Sequence, residues 1–240
     1  PDEALKAYDR AIELQADYAW ALNGKGIVLE QLGRHEDALE AYRRTTEIAP
    51  GDVVHWYNLG NVYALLGRYD DALPILEQAT KVNPNHARTW ARMGNVLRQL
   101  GLSDAALIAY DRAVTLQPDY AWAWNERGIT LEKLGRHTDA LESYRHATAA
   151  APEDALCLLQ QADNLLAVDQ VGQAATLLER ALQTEIKNGK LWAKLGQVYR
   201  RMNKHEDALR AYVQATDHEP NYAWAWNGRG LTLAALGRYD

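Results

Sequence analysis

From Val53 to Leu65 the pattern follows a helical spacing rather than the alternation of a strand. Trp56, Leu59, Gly60 and Tyr63 stand at i, i+3, i+4 and i+7. Each helical residue turns the chain by about 100°, so this spacing gathers the four on one side of an amphipathic α-helix. The template recurs as "WYNLGNVYALLGRYDDAL" from Trp56, "WARMGNVLRQLGLSDAAL" from Trp90 and "WAKLGQVYRRMNKHEDAL" from Trp192. The first two start 34 residues apart, and the third follows 102 residues later, three times 34. This register gives complete repeats at 19–52, 53–86, 87–120, 121–154, 155–188 and 189–222, with a trailing half repeat at 1–18 and a leading half repeat at 223–240.

Each repeat predicts two helices. Gly33, Gly67, Gly101 and Gly135 stand where the first helix must stop and turn, a place that favours a residue tolerant of positive φ. On the second helix Ala38, Ala72, Ala106, Ala140, Ala174 and Ala208 are small enough to let two backbones approach. Pro50, Pro84, Pro118, Pro152 and Pro220 close the repeats, because proline cannot continue a helix interior. Repeat 155–188 departs most, with Leu158 for the tryptophan, Ala162 for the helix glycine, Asp169 for the turn glycine and Ile186 for the proline. Its apolar spacing, Ala174 and Ala181 still predict a helix pair.

The positions of repeat 53–86, namely Trp56, Leu59, Gly60, Tyr63, Gly67, Tyr69, Ala72, Leu76, Ala79 and Pro84, resemble the tetratricopeptide repeat. The resemblance covers the whole chain as a single array. Spacing alone gives stacked helical hairpins; the resemblance implies an all-α, right-handed α-solenoid of stacked antiparallel helix pairs.

A second, longer period overlies the first. "DYAWALNGKGIVLEQLGRHEDAL" at 17–39 matches "DYAWAWNERGITLEKLGRHTDAL" at 119–141 in 17 of 23 positions, but matches 51–73 in only 8. The true duplication therefore spans three repeats, and "NYAWAWNGRGLTL" at 221–233 continues it. It places Trp20, Trp122 and Trp224 at position 2 of their repeats, about 200° round the helix from position 4. Positions 2, 5, 9, 12 and 13 form a stripe opposite the packing side, and the resemblance implies that this stripe lines a concave ligand groove. Repeats 19–52 and 121–154 and the last half repeat offer Trp20 and Asn23, Trp122 and Asn125, and Trp224 and Asn227. Repeat 53–86 offers Tyr57 and Asn61. Two repeats are basic here, with Arg88, Asn95 and Arg98 in one and Arg92 at its edge, and Lys190, Arg200 and Arg201 in the other with Lys194 at its edge. Cations on one stripe of a net acidic chain invite an acidic protein or peptide.

Two roles compete at each of these residues. A position-2 tryptophan either anchors a partner or packs on Tyr18, Tyr120 or Tyr222 just before it. The basic residues either form a site or a solvated face. The asparagines either clamp a ligand backbone or fill polar space. Lys25, Arg127 and Arg229, at a position that is usually leucine, read as side chains that snorkel between helices. The family's carboxylate clamp needs a lysine four residues before the position-9 asparagine. Tyr57 precedes Asn61 and Ala91 precedes Asn95, so no chaperone-tail binding is expected.

The composition, 48% hydrophobic and 24% charged, is that of a globular chain rather than a disordered one. No apolar run approaches the length of a membrane span. The formal net charge of −6 offers no overall attraction to nucleic acid or an anionic membrane, so neither is an expected partner. One cysteine, Cys157, excludes an internal disulfide framework. It suits the cytoplasm, and equally a disulfide-free periplasmic or secreted protein. No metalloprotease motif, paired-cysteine motif or phosphate loop is present. His35, His137 and His205 align with Tyr69 and read as structural, and Cys157 reads as a small buried residue. The chain is therefore expected to be no enzyme and to need no cofactor. The expected function is a protein-interaction scaffold; the alternative is the regulatory or substrate-sensing arm of a larger enzyme. The half repeats suggest an excerpt, whose ends either continue into further repeats or meet head to tail between molecules.

Overall fold

The computed structural model describes residues 2–239, which divide into two compact bodies, one ending at Pro118 and one starting at Asp119. The described residues form fourteen α-helices and no strand. In the first body these are α1 (Asp2–Leu14), α2 (Ala19–Gln31), α3 (His35–Ile48), α4 (Val53–Leu65), α5 (Tyr69–Val82), α6 (Ala87–Gln99) and α7 (Ser103–Leu116). The second body holds α8 (Ala121–Lys133), α9 (His137–Ala150), α10 (Ala155–Ala167), α11 (Val171–Thr184), α12 (Gly189–Arg201), α13 (His205–His218) and α14 (Ala223–Ala235). Each 34-residue repeat holds one 13-residue and one 14-residue helix packed as a pair, and within each body the second helix also packs on the first helix of the next repeat.

The turn inside each pair explains the glycines. Gly33 has φ 71°; its N–H donates to the Glu30 carbonyl at 3.0 Å, and Arg34 N–H donates to the Leu29 carbonyl at 2.9 Å, a Schellman ending that needs a left-handed residue. Asp169 and Asn203 adopt the same conformation, with φ 59° and 58°, and make the same pair of bonds. Repeat 155–188 thus keeps its turn without glycine, because aspartate and asparagine tolerate this region better than other residues do.

The core lies between the paired helices. Ala38, Ala72, Ala106, Ala140, Ala174 and Ala208 are completely buried, and so in effect are Tyr42, Leu76, Tyr144, Leu178 and Tyr212. In α4 the buried residues are His55, Leu59, Gly60, Asn61, Val62, Tyr63 and Ala64, positions 3 and 7–12 of the repeat. Of the position-4 tryptophans, Trp56, Trp90, Trp124 and Trp192 are partly buried and Trp226 is exposed. Their indole N–H groups reach back six residues to the closing turn: Trp56 donates to the Pro50 carbonyl, Trp90 to Pro84 and Trp226 to Pro220, each at 2.8 Å, and Trp192 to Ile186 at 2.7 Å. Position 4 therefore fastens one repeat to the loop before it.

Candidate ligand-binding face

The stripe opposite the core carries part of the exposed large apolar surface of each body, although Leu14, Leu102, Ile108, Ile186 and Trp226 are exposed off it. In the first body Trp20 is 67% exposed, Ile27 42%, Val54 41% and Leu65 49%. In the second, Leu156 is 55% exposed, Leu231 48% and Trp224 37%. These occupy positions 2, 9 and 13 of their repeats.

The three position-2 tryptophans do not behave alike. Trp20 meets only the edge of the His55 ring, with centroids 6.5 Å apart. Trp122 and Trp224 lean on Tyr120 and Tyr222, each at 5.9 Å with ring planes tilted by 36° and 34°. Lys194 Nζ also lies 5.2 Å above the Trp224 ring. Trp20 is thus left mostly exposed, whereas Trp122 and Trp224 lean on the tyrosines before them, Trp224 with 37% of its surface still exposed.

The asparagines mostly lie beneath the surface. Asn23 and Asn125 are buried, at 6% and 2% exposure, and Asn61 at 8%; only Asn227 is exposed. Position 5 turns towards the next first helix, where Asn58 Nδ2 donates to Asn23 Oδ1 at 2.8 Å, and Asn61 Nδ2 donates to Glu30 Oε1 at 3.0 Å. As clamps that stand open to a ligand, Asn23, Asn61 and Asn125 are corrected to buried residues, two of them connectors between repeats. Tyr57 is half-buried against His86, with ring centroids 5.5 Å apart.

The basic stripe is largely engaged within the protein. Lys194 pairs with Asp163 at 2.6 Å, and Arg201 donates to the Leu166 carbonyl at 2.8 Å and approaches Asp169 at 3.4 Å. Arg200 pulls down the Tyr212 phenol pKa that burial raises. Arg92, Asn95 and Arg98 are half-buried and interact with neighbouring residues. Arg88 and Lys190 are exposed at position 2. Off the stripe, Lys25 pairs with Asp9 at 2.7 Å and Arg127 donates to Ser143 Oγ at 2.5 Å, so the residues that replace leucine reach between helices.

Models described as tetratricopeptide repeat match residues 1–53, 57–121 and 92–155, and one described as TPR repeat matches 196–237. The chain belongs to the tetratricopeptide repeat family. It is 34% identical over 91 residues to the general transcriptional corepressor trfA of Dictyostelium discoideum, a match covering 37% of this chain and 6% of that protein. Among solved structures, MamA superposes with a TM-score of 0.59 at 21% identity, over 64% of this chain and 90% of MamA. YrrB, described as a tetratricopeptide repeat protein with an unusual peptide-binding site, gives 0.55 at 21% identity over 94% and 98%. The Cut9–Hcn1 hetero-tetramer of APC/C gives 0.71 at 14% identity over 96% and 46%. These structures show the fold, an α-solenoid of paired helices. Tetratricopeptide repeats are in general non-catalytic interaction scaffolds. No helix among the described residues is long and apolar enough to cross a membrane.

Two tetratricopeptide positions escaped the sequence reading. Glu30 and Glu132, 102 residues apart, each accept a tyrosine hydroxyl with one oxygen and an asparagine amide with the other: Tyr42 at 3.3 Å and Asn61 for Glu30, Tyr144 and Asn164, both at 2.8 Å, for Glu132. Burial and the adjacent carboxylate hold both phenols well above the ordinary tyrosine range. The signal was present, because glutamate and tyrosine recur together at the 102-residue period, but charged residues on a helix surface gave no hint of a partner.

Proposed function

We propose that the chain is a protein-interaction scaffold, and that in each body positions 2, 9 and 13 of the first helices hold an extended or helical segment of a partner protein. The observation behind this reading is Trp20. An indole 67% exposed, next to the exposed Ile27 and Val54, keeps apolar surface in water, and burial of such surface is worth about 25 cal/mol per Å². Tryptophan is also the residue that most often anchors interfaces. The acidic character of the partner rests on Arg88 and Lys190, since the other cations named on the stripe are engaged internally or half-buried. The peptide-binding description of YrrB supports a peptide ligand as a class.

Peptides selected from a random display library on the intact chain test this. Selected peptides should carry an apolar anchor beside acidic residues. Trp20→Ala should weaken those docked on the first body by about tenfold or more, while the helical circular dichroism stays unchanged. Arg88→Glu should weaken the same peptides with a marked salt dependence. Selected peptides that bind both variants as well as the parent would refute the assignment.

A further inference from the structure

Repeat 155–188 has leucine at position 4, where the other complete repeats other than 19–52 have tryptophan. The tryptophan fills a defined place: its N–H meets the carbonyl of the residue six before it, and its ring lies against the second helix of its own repeat. In repeat 121–154 the ring of Trp124 stacks on His146, at position 26, with centroids 4.3 Å apart and planes 17° from parallel. In repeat 155–188 Leu158 is 3% exposed and lines an open cleft of about 520 Å³. The cleft is lined by the residues that would surround an indole. Pro152 stands six residues before Leu158, Arg180 at position 26 replaces the stacking histidine, and Leu177 and Leu158 supply an apolar floor. Arg145, which also donates to Gln173 Oε1 at 3.3 Å, and Glu153 complete the charged lining, which carries one net positive charge. Gln161 accepts from Thr148 at 2.7 Å, which fixes the polar end.

We propose that this cleft is a binding site for a small indole-class aromatic carboxylate. The ligand's N–H takes the Pro152 carbonyl in place of the absent tryptophan, its ring lies on the Arg180 guanidinium, and its carboxylate is balanced by Arg145 and Arg180. Guanidinium groups suit both tasks, stacking on aromatic faces and pairing with carboxylates. The volume falls in the range of small-molecule pockets. The site is separate from the face assigned above, because position 4 lies about 200° round the helix from position 2, and it stands or falls independently of that proposal.

The probes are indole-3-acetate and neutral indole, read by calorimetry and by nuclear Overhauser contacts to the Leu158 and Leu177 methyl groups. Indole-3-acetate should show those contacts. Leu158→Trp fills the place from within and should weaken binding by at least about tenfold, with the helical content retained. Arg180→Glu should weaken indole-3-acetate far more than indole, which keeps the test decisive even where Leu158→Trp fails to fold. Absence of the methyl contacts, undiminished binding to folded Leu158→Trp, or equal binding of indole-3-acetate to Arg180→Glu and the parent would each overturn the proposal. Binding of a tryptophan-bearing acidic peptide without binding of indole-3-acetate would overturn the small-molecule assignment.

Discussion

Gly128→Ala probes how closely the paired helices are fitted. A Cβ built on Gly128 would lie 2.6 Å from Cε1 and 2.8 Å from Cζ of Tyr144. Carbon atoms prefer separations of about 3.5–4.0 Å, so an overlap of about 1 Å must be relieved. The ring has little freedom to move: Tyr144 is fully buried, and its hydroxyl is tied to Glu132 at 2.8 Å. Overpacking of this kind costs about 1–3 kcal/mol, and alanine returns up to about 1 kcal/mol of helix propensity. The net expectation is a loss of up to about 2 kcal/mol. Gly230→Ala, on a helix where an added methyl meets nothing within 4 Å, should instead be neutral or gain up to about 1 kcal/mol. Repeat 155–188 pairs Ala162 at the same position with Leu178 in place of the tyrosine, and both are fully buried. Gly128→Ala with Tyr144→Leu should therefore be more stable than the sum of the single variants predicts. Urea denaturation followed by circular dichroism gives the overall loss, and hydrogen exchange of α8 and α9 amides localises it, which matters because repeat arrays need not unfold in one step. Gly128→Ala gaining as much stability as Gly230→Ala, or a double variant no better than additive, would refute the argument.

Two further outcomes follow from buried titratable groups. His86 has its pKa lowered, first by burial and then by Arg88, against a smaller opposing pull from Asp52. The unfolded chain then binds more protons than the folded one between the depressed value and about 6.5, so this contribution is complete above about 6.5 and is lost as pH falls through the folded value. Urea midpoints measured from pH 7.5 down to 5 should fall less steeply for His86→Gln than for the parent; parallel slopes would count against it. The Cys157 thiol is pushed up to about 11, chiefly by burial and secondarily by Asp154. Iodoacetamide at neutral pH should therefore label the folded protein far more slowly than the urea-unfolded protein, and equal rates would show that the first turn of α10 opens readily.

Helix number, pairing and turns were legible because a 34-residue period multiplies every local signal. A single glycine suggests a turn weakly, whereas Gly33, Gly67, Gly101 and Gly135 at one position settle it. Side-chain partners were less legible. Asn23 looked like part of an exposed stripe, since a helical wheel records direction but not what the neighbouring helix places there. Its burial depends on Asn58, 35 residues away. The same limit applied to Lys194 and Asp163, whose pairing removes a cation that the sequence counted as available to a ligand.

Repeat 155–188 shows where reading by template ends and geometry begins. Its departures at positions 4, 8 and 15 look equivalent in sequence, as three losses from one pattern. In the fold they are different events. Asp169 adopts the left-handed turn itself and makes the same two backbone bonds as glycine. Ala162 stands in the repeat that has Leu178 where Tyr144 stands in repeat 121–154, so it meets no tyrosine ring there. Leu158 leaves Pro152 and the Arg180 side chain around a cleft, whereas in repeat 19–52, which also has leucine at position 4, the position-26 Arg44 donates to the equivalent Ala16 carbonyl at 2.8 Å. A substitution repaired by its partner reports on packing alone. One left unrepaired within an otherwise closely fitted array, and rimmed by cations, is where a function specific to this chain should be sought.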